Sequence, residues 1–218
     1  MAKRPALAVP AVVEQFSGFP RESIGFFKDL ARHNNRDWFL AHKDVYERSC
    51  QQPMQKLMAA LEPRFGRSKI SRIYRDIRFS ADKSPYKTRI SAGIGRRYVS
   101  LSEGGLYVGA GMYMPDSAGL ERFRGAIAAD GSGRQLVRIV AALRRKGYDV
   151  ATHDTLKSPP RGYKADHPRI DLLRMKDLFA GKSFKPAAWL STRSALDRVE
   201  KVMNDTKPLT DWFAKNVG

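Results

Sequence analysis

The densest set of groups able to do chemistry lies in the middle of the chain, over Arg75-Asp76-Ile77-Arg78-Phe79-Ser80-Ala81-Asp82-Lys83-Ser84-Pro85-Tyr86-Lys87. Guanidinium forks such as those of Arg75 and Arg78 match phosphate or carboxylate in two-point contacts, and Lys83 and Lys87 add compact positive charge. Ser80 and Ser84 add hydroxyls, and Tyr86 adds a ring able to stack on a base. Asp76 and Asp82 can orient those cations, act as acid or base, or ligate a metal. The same residues also support a second reading. Asp76 stands between Arg75 and Arg78, and Asp82 beside Lys83, so the stretch can pair internally and simply hold a loop. Both readings stay open on sequence alone.

Outside this stretch, His42 and His167 are the histidines best suited to general-base work, although a lone histidine more often packs or caps. His33 and His153 read as surface residues. Arg36 is within reach of a pocket at a helix start. No pair of histidines has metal-site spacing, and no phosphate-binding glycine loop or nucleophile elbow occurs, so neither a metal nor a cofactor is expected. Gly109-Ala110-Gly111 has no third glycine and reads as close strand packing.

The elements that must position these groups follow from periodicity. Apolar spacing predicts a helix over residues 20–33, ended by Asn34-Asn35, with Asn35 capping a second helix that carries Trp38, Phe39, His42, Val45 and Tyr46. Pro53 either kinks that helix or opens a third, containing Met54, Leu57, Met58 and Leu61. The period then changes to two. Residues 73–79 read as a strand with Ile73, Arg75, Ile77 and Phe79 on one face, followed by a loop over 80–86. Strands are expected over 88–94, 98–101 and 106–113, the last two joined at Glu103-Gly104-Gly105. Helices return over 120–129 and 134–146. A loop over 157–168, a helical turn at 170–175, a short strand at 177–181 and two closing helices complete the chain. N-terminal helices, a central antiparallel sheet and C-terminal helices define an α+β fold. We expect a flexible basic tail over 1–14 and a single domain over 15–218.

Composition sets the remaining bounds. One cysteine, Cys50, excludes an intrachain disulfide and fits a reducing, cytoplasmic location. No apolar run is long enough to span a membrane as a helix. The net charge is +18, and it is concentrated. Residues 11–63 are balanced, whereas residues 64–97 carry eleven basic side chains against Asp76 and Asp82. A field of that strength attracts nucleic acid or other anions.

The central stretch, together with Phe16-x-Gly18-Phe19, Asn34-Asn35-Arg36-x-Trp38-Phe39, Lys43, Tyr46, Gly109-x-Gly111, Pro115, Gly162-Tyr163 and His167-Pro168, resembles the domain-of-unknown-function 2461 family over roughly residues 16–200. The resemblance implies an α+β domain and no established activity. It also adds Arg124 to the candidate ligand-binding set of Arg36, Arg75, Arg78, Lys83, Tyr86 and Lys87. Three functions remain open. The first is a protein that binds an anionic, phosphate-containing ligand, nucleic acid included. The second is a small-molecule hydrolase or transferase using Asp76 or Asp82. The third is a scaffold with a basic face.

Overall fold

The computed structural model describes residues 15–78 and 80–218; the expected basic tail over 1–14 and the ring of Phe79 lie outside the described residues. The first helix, α1 (Glu22–Arg32), buries Ser23, Phe26, Phe27 and Leu30, the one-face spacing of an amphipathic helix. Asn35 caps α2 (Arg36–Ala41) by accepting the Trp38 N–H at 2.9 Å. The chain breaks at His42 and resumes as α3 (Lys43–Tyr46). It then widens into a π turn over Glu47–Gln51 before α4 (Gln52–Phe65).

Pro53 accounts for that widening. Its nitrogen cannot donate to the carbonyl one turn back, Ser49, and its ring crowds that oxygen. The Ser23 hydroxyl of α1 donates to the Ser49 carbonyl instead, at 2.6 Å. The backbone irregularity is therefore also the joint between α1 and α4.

Six antiparallel strands form one sheet in the order β1-β2-β3-β4-β6-β5. They are β1 (Ser68–Ile70), β2 (Arg89–Ile94), β3 (Arg97–Ser102), β4 (Gly105–Met112), β5 (Asp149–Ala151) and β6 (Leu178–Phe184). Ser102 pairs with Gly105, closing the expected tight turn at Glu103-Gly104. Alternation sorts the side chains. One face carries Ile90, Ala92, Ile94, Val99, Leu101, Val108 and Ala180, all buried. Helices α1 and α4 lie against it, with α8 (Ser194–Asp205) and α9 (Lys207–Asn216) over β4. The other face carries Lys69, Arg89, Ser91, Tyr98, Tyr107 and Phe179, with the three rings partly buried. The Tyr107 ring lies along this face. A Cβ placed on Gly109 would sit 2.6 Å from the Tyr107 hydroxyl, so a side chain there would have to push the ring off this face.

Between β4 and β5 come α5 (Ser117–Ala128) and α6 (Asp130–Arg145), and between β5 and β6 the one-turn α7 (Ile170–Leu173). Arg169 is 8% exposed and stops α5 by donating to the Ile127 carbonyl at 2.6 Å and the Ala128 carbonyl at 2.7 Å. No helix among the described residues is long and apolar enough to cross a membrane.

One expected element is absent. Residues 71–78 are irregular, and the expected strand over 73–79 reduces to a single bridge between Tyr74 and Tyr86. The Asp76 carboxylate takes the backbone N–H of Arg78 at 3.3 Å, a local bond that competes with sheet pairing.

Candidate ligand-binding cleft

The bridge makes residues 74–86 a closed loop. The Arg75 N–H donates to the Pro85 carbonyl at 2.9 Å and the Lys87 N–H to the Ile73 carbonyl at 2.8 Å. Asn34 fastens the loop to the corner between α1 and α2. Its amide donates to the Tyr86 carbonyl at 2.9 Å and accepts the Tyr86 N–H at 3.0 Å, a two-point match to one residue's backbone. The Tyr86 ring is 3% exposed and stacks on Phe39 at 4.1 Å. Burial raises its hydroxyl pKa. Tyr86 is thus a core anchor whose ring face is covered. The ring that faces outward is its bridge partner Tyr74, at 58% exposure.

Inside the loop the charges pair. Arg75 binds Asp82 and reaches the Ser80 hydroxyl at 3.4 Å. Arg78 grips both oxygens of Asp76, at 2.9 and 2.7 Å. The Lys83 ammonium donates to the Ile77 carbonyl at 3.1 Å and that of Lys87 to the Arg72 carbonyl at 2.7 Å. Hydrogen bonds from Ser84 and then Arg75 hold the Asp82 carboxyl well below the usual carboxylate range, and the Arg78 side chain does the same for Asp76. Both carboxylates are exposed and committed to cations, which suits a brace and not an acid–base group working near neutral pH.

Beside the loop opens a cleft of about 320 Å³ between α3–α4 and the β1–Tyr74 segment. Its floor is Phe39, Tyr46 and Ile73; its walls carry Lys43, Glu47, Gln51, Gln55, Ser71, Arg72 and Tyr74. The π turn presents Glu47 and Gln51 to it. Lys43 pairs with Glu47 at 3.3 Å, whereas Arg72 is exposed and makes no ion pair among the described residues.

The remaining candidates are dispersed. Arg36 is exposed at the first position of α2, close enough for its charge to act on the Tyr86 hydroxyl. His42 stacks on Trp38 at 4.1 Å and donates through Nδ1 to the Trp38 carbonyl at 2.8 Å, a helix-end role. His167 accepts the Arg169 N–H through Nδ1 at 3.1 Å, and Arg124 donates to the Leu173 carbonyl at 3.2 Å. Both sit in the α5–α7 cluster, away from the cleft lining. Cys50 is buried, and burial pushes its thiol up, which leaves it inert. Among the described residues no three histidine, cysteine or carboxylate side chains converge as a metal site. Sequence reasoning missed Tyr74, Arg72, Gln51 and Gln55 as cleft residues. The available signal was the alternation of buried Ile73 with its neighbours, which turns Arg72 and Tyr74 to the same side.

Compared with known proteins, residues 22–212 match a family described as conserved hypothetical protein (DUF2461). No curated protein and no solved structure matches the chain.

Proposed function

The chain belongs to the DUF2461 family of conserved hypothetical proteins, and from its cleft we propose that it binds a phosphate-bearing ligand with a planar base: a nucleotide, free or within single-stranded nucleic acid. The observation that carries this reading is the pairing of Tyr74 and Arg72 on one wall of the cleft, an exposed ring beside an exposed guanidinium that makes no ion pair among the described residues. A base stacks on the ring, worth about 1–3 kcal/mol. Phosphate is met by Arg72, with Lys43 and Lys87 close by, and the Gln51 and Gln55 amides meet the base's polar edge. The cleft's volume is at the small end of ligand sites, enough for one nucleotide unit. The loop holding Arg75, Arg78, Lys83 and Lys87 is the brace that fixes Tyr74 and adds long-range positive field. The one buried cysteine fits a cytoplasmic setting for this activity.

The rival enzyme reading needs Asp76 or Asp82 at the base of a pocket with a raised pKa. Both carboxylates lie outside the cleft lining, and both pKa values are shifted downward. The scaffold reading needs a contiguous apolar patch, and among the described residues the exposed large apolar side chains Leu40, Tyr74, Val137 and the Tyr113–Met114 pair lie on separate elements.

The test is fluorescence anisotropy with labelled single-stranded DNA, RNA, duplex DNA and a labelled mononucleotide. Tyr74→Ala and Arg72→Ala are each expected to weaken single-strand binding about tenfold, and Lys83→Ala/Lys87→Ala to weaken it less. Equal affinity for duplex and single strands, unmoved by Tyr74→Ala, would refute the cleft.

A further inference from the structure

At the opposite edge of the sheet from the cleft, one carboxylate is buried. Asp177, just before β6, has a side chain only 2% exposed. Its Oδ1 lies 2.8 Å from both the His153 backbone N–H and the Thr152 hydroxyl, and its Oδ2 lies 2.8 Å from His153 Nδ1. The imidazole of His153 is half-exposed, at 50%. Two rings hold it in place, Phe179 at 4.5 Å and Tyr113 at 4.8 Å edge-on. Only Nε2 is left to face solvent. Beside it, Tyr113 and Met114 are each 69% exposed, and Met114 has φ +40, a left-handed conformation that a methionine rarely adopts.

We infer that His153 and Asp177 form an acid–base dyad, with Nε2 of His153 as the working atom and a neutral ester as its substrate class. A carboxylate on Nδ1 fixes the tautomer that leaves a lone pair on Nε2, and it stabilises the imidazolium formed when that lone pair takes a proton. The ring contacts fix the direction in which Nε2 points. Charge decides the substrate class. Asp154, which feels the Asp177 charge, is paired with Lys176 at 2.5 Å, which leaves the buried Asp177 carboxylate as the charge set directly against the imidazole. An anionic phosphate is disfavoured there, in contrast to the basic cleft. The exposed Tyr113 ring and Met114 offer a surface for the flat or apolar part of an uncharged molecule.

The step balances without any redox partner. Nε2 accepts a proton from water as its oxygen adds to the ester carbonyl carbon. The tetrahedral adduct then expels the alkoxide, which takes the proton back from Nε2. Water and ester are consumed, acid and alcohol are released, and His153 is regenerated. Burial raises the Asp177 pKa, but the hydrogen bonds from His153 and Thr152 outweigh it and keep the carboxyl below its ordinary range, so it stays ionised to orient the ring.

The experiment is hydrolysis of p-nitrophenyl acetate by the full chain as a function of pH, with ¹⁵N spectra of the histidine rings. His153→Gln, a change at a half-exposed side chain, is expected to lower kcat/KM at least about tenfold. Asp177→Asn should do the same, because an amide cannot enforce the tautomer. His33→Gln serves as the exposed-histidine control and should leave the rate unchanged. In the wild-type spectrum His153 should carry its proton on Nδ1. An unchanged rate in His153→Gln, or a proton on Nε2 in the neutral wild-type ring, would overturn the proposal. Neither result depends on whether Asp177→Asn folds, and neither bears on the nucleotide cleft.

Discussion

Asp82 touches three groups at once: the Arg75 guanidinium, the Ser84 backbone N–H at 2.9 Å, and the Ser84 side chain. Because its folded pKa is depressed, it stabilises the loop above its unfolded value, about pH 4, and that contribution disappears as pH falls toward the folded value. We therefore expect the Ser84 and Arg75 amide resonances to stay in place as the solution is taken from pH 5 through the usual carboxylate range, and to move together only in stronger acid. Asp82→Asn should raise hydrogen exchange at both amides already at pH 7, while α4 is unaffected. Titration of the two amides at separate midpoints would mean that Asp82 does not close the loop. At this scale the sequence was legible for composition and illegible for partnership. The run of Arg75, Asp76, Arg78, Asp82 and Lys83 could be seen as a charged constellation, but whether its members face a ligand or one another depends on loop closure by Tyr74 and Tyr86. His153 read as a surface residue and is exposed, but its buried partner Asp177 is 24 positions away, and no local spacing encodes that contact.

Between elements, a few polar side chains do the joining. Arg169 stops α5, Ser23 ties α1 to the π turn, and Asn34 fastens the 74–86 loop to the α1–α2 corner. Asn34 meets a donor and an acceptor on one residue with the two ends of a single planar amide, a group it shares only with glutamine. Asn34→Ala leaves the N–H and the carbonyl of Tyr86 without their partner while Tyr86 stays buried. The expected cost is about 1–3 kcal/mol in urea denaturation. Ligand affinity should fall as well, because Tyr74 depends on Tyr86 through their bridge. Unchanged stability with unchanged exchange at Tyr86 would show that water replaces the amide without loss. Asn34 and Asn35 both read as helix-end residues in the sequence. Only Asn35 is a cap, and the difference cannot be seen without the loop. Helix periods, strand alternation and the hairpin glycines were legible because each follows from neighbouring residues. The three-residue strands β1 and β5 were not, since so short a stretch has no period. Residues 73–79 alternate well enough to suggest a strand, yet the backbone N–H groups of Arg75 and Arg78 go to Pro85 across the loop and to the Asp76 carboxylate.

Across the whole molecule, the +18 charge is less available than its size suggests. Within the basic stretch over 64–97, Arg64 is paired with Glu200 at 2.7 Å. Arg97 lies over the Phe65 ring at 5.0 Å and reaches Thr210 at 3.2 Å, and Arg96 is bonded to the Gly218 carbonyl. Arg96 and Arg97 tie the β2–β3 turn and β3 to the helical layer, and Arg64 ties α4 to α8. The exposed cations of that stretch near the cleft edge of the sheet include Arg67, Lys69, Arg72, Lys83 and Arg89, with Lys87 partly buried and Arg36 at the corner. If a single strand lies along that edge and meets about three to five phosphates, log affinity should fall against log salt with a slope of about −2 to −3.5. Arg72→Ala should flatten the slope by a little under one unit, since one phosphate contact is lost. Arg64→Ala should leave the slope unchanged and lower stability only slightly, since its exposed ion pair contributes little. A slope near −7 or steeper for the wild type would mean that ten or so phosphates are neutralised. Binding would then belong to the general field of the protein and not to the Arg72–Tyr74 edge, and the cleft would lose its claim as the site.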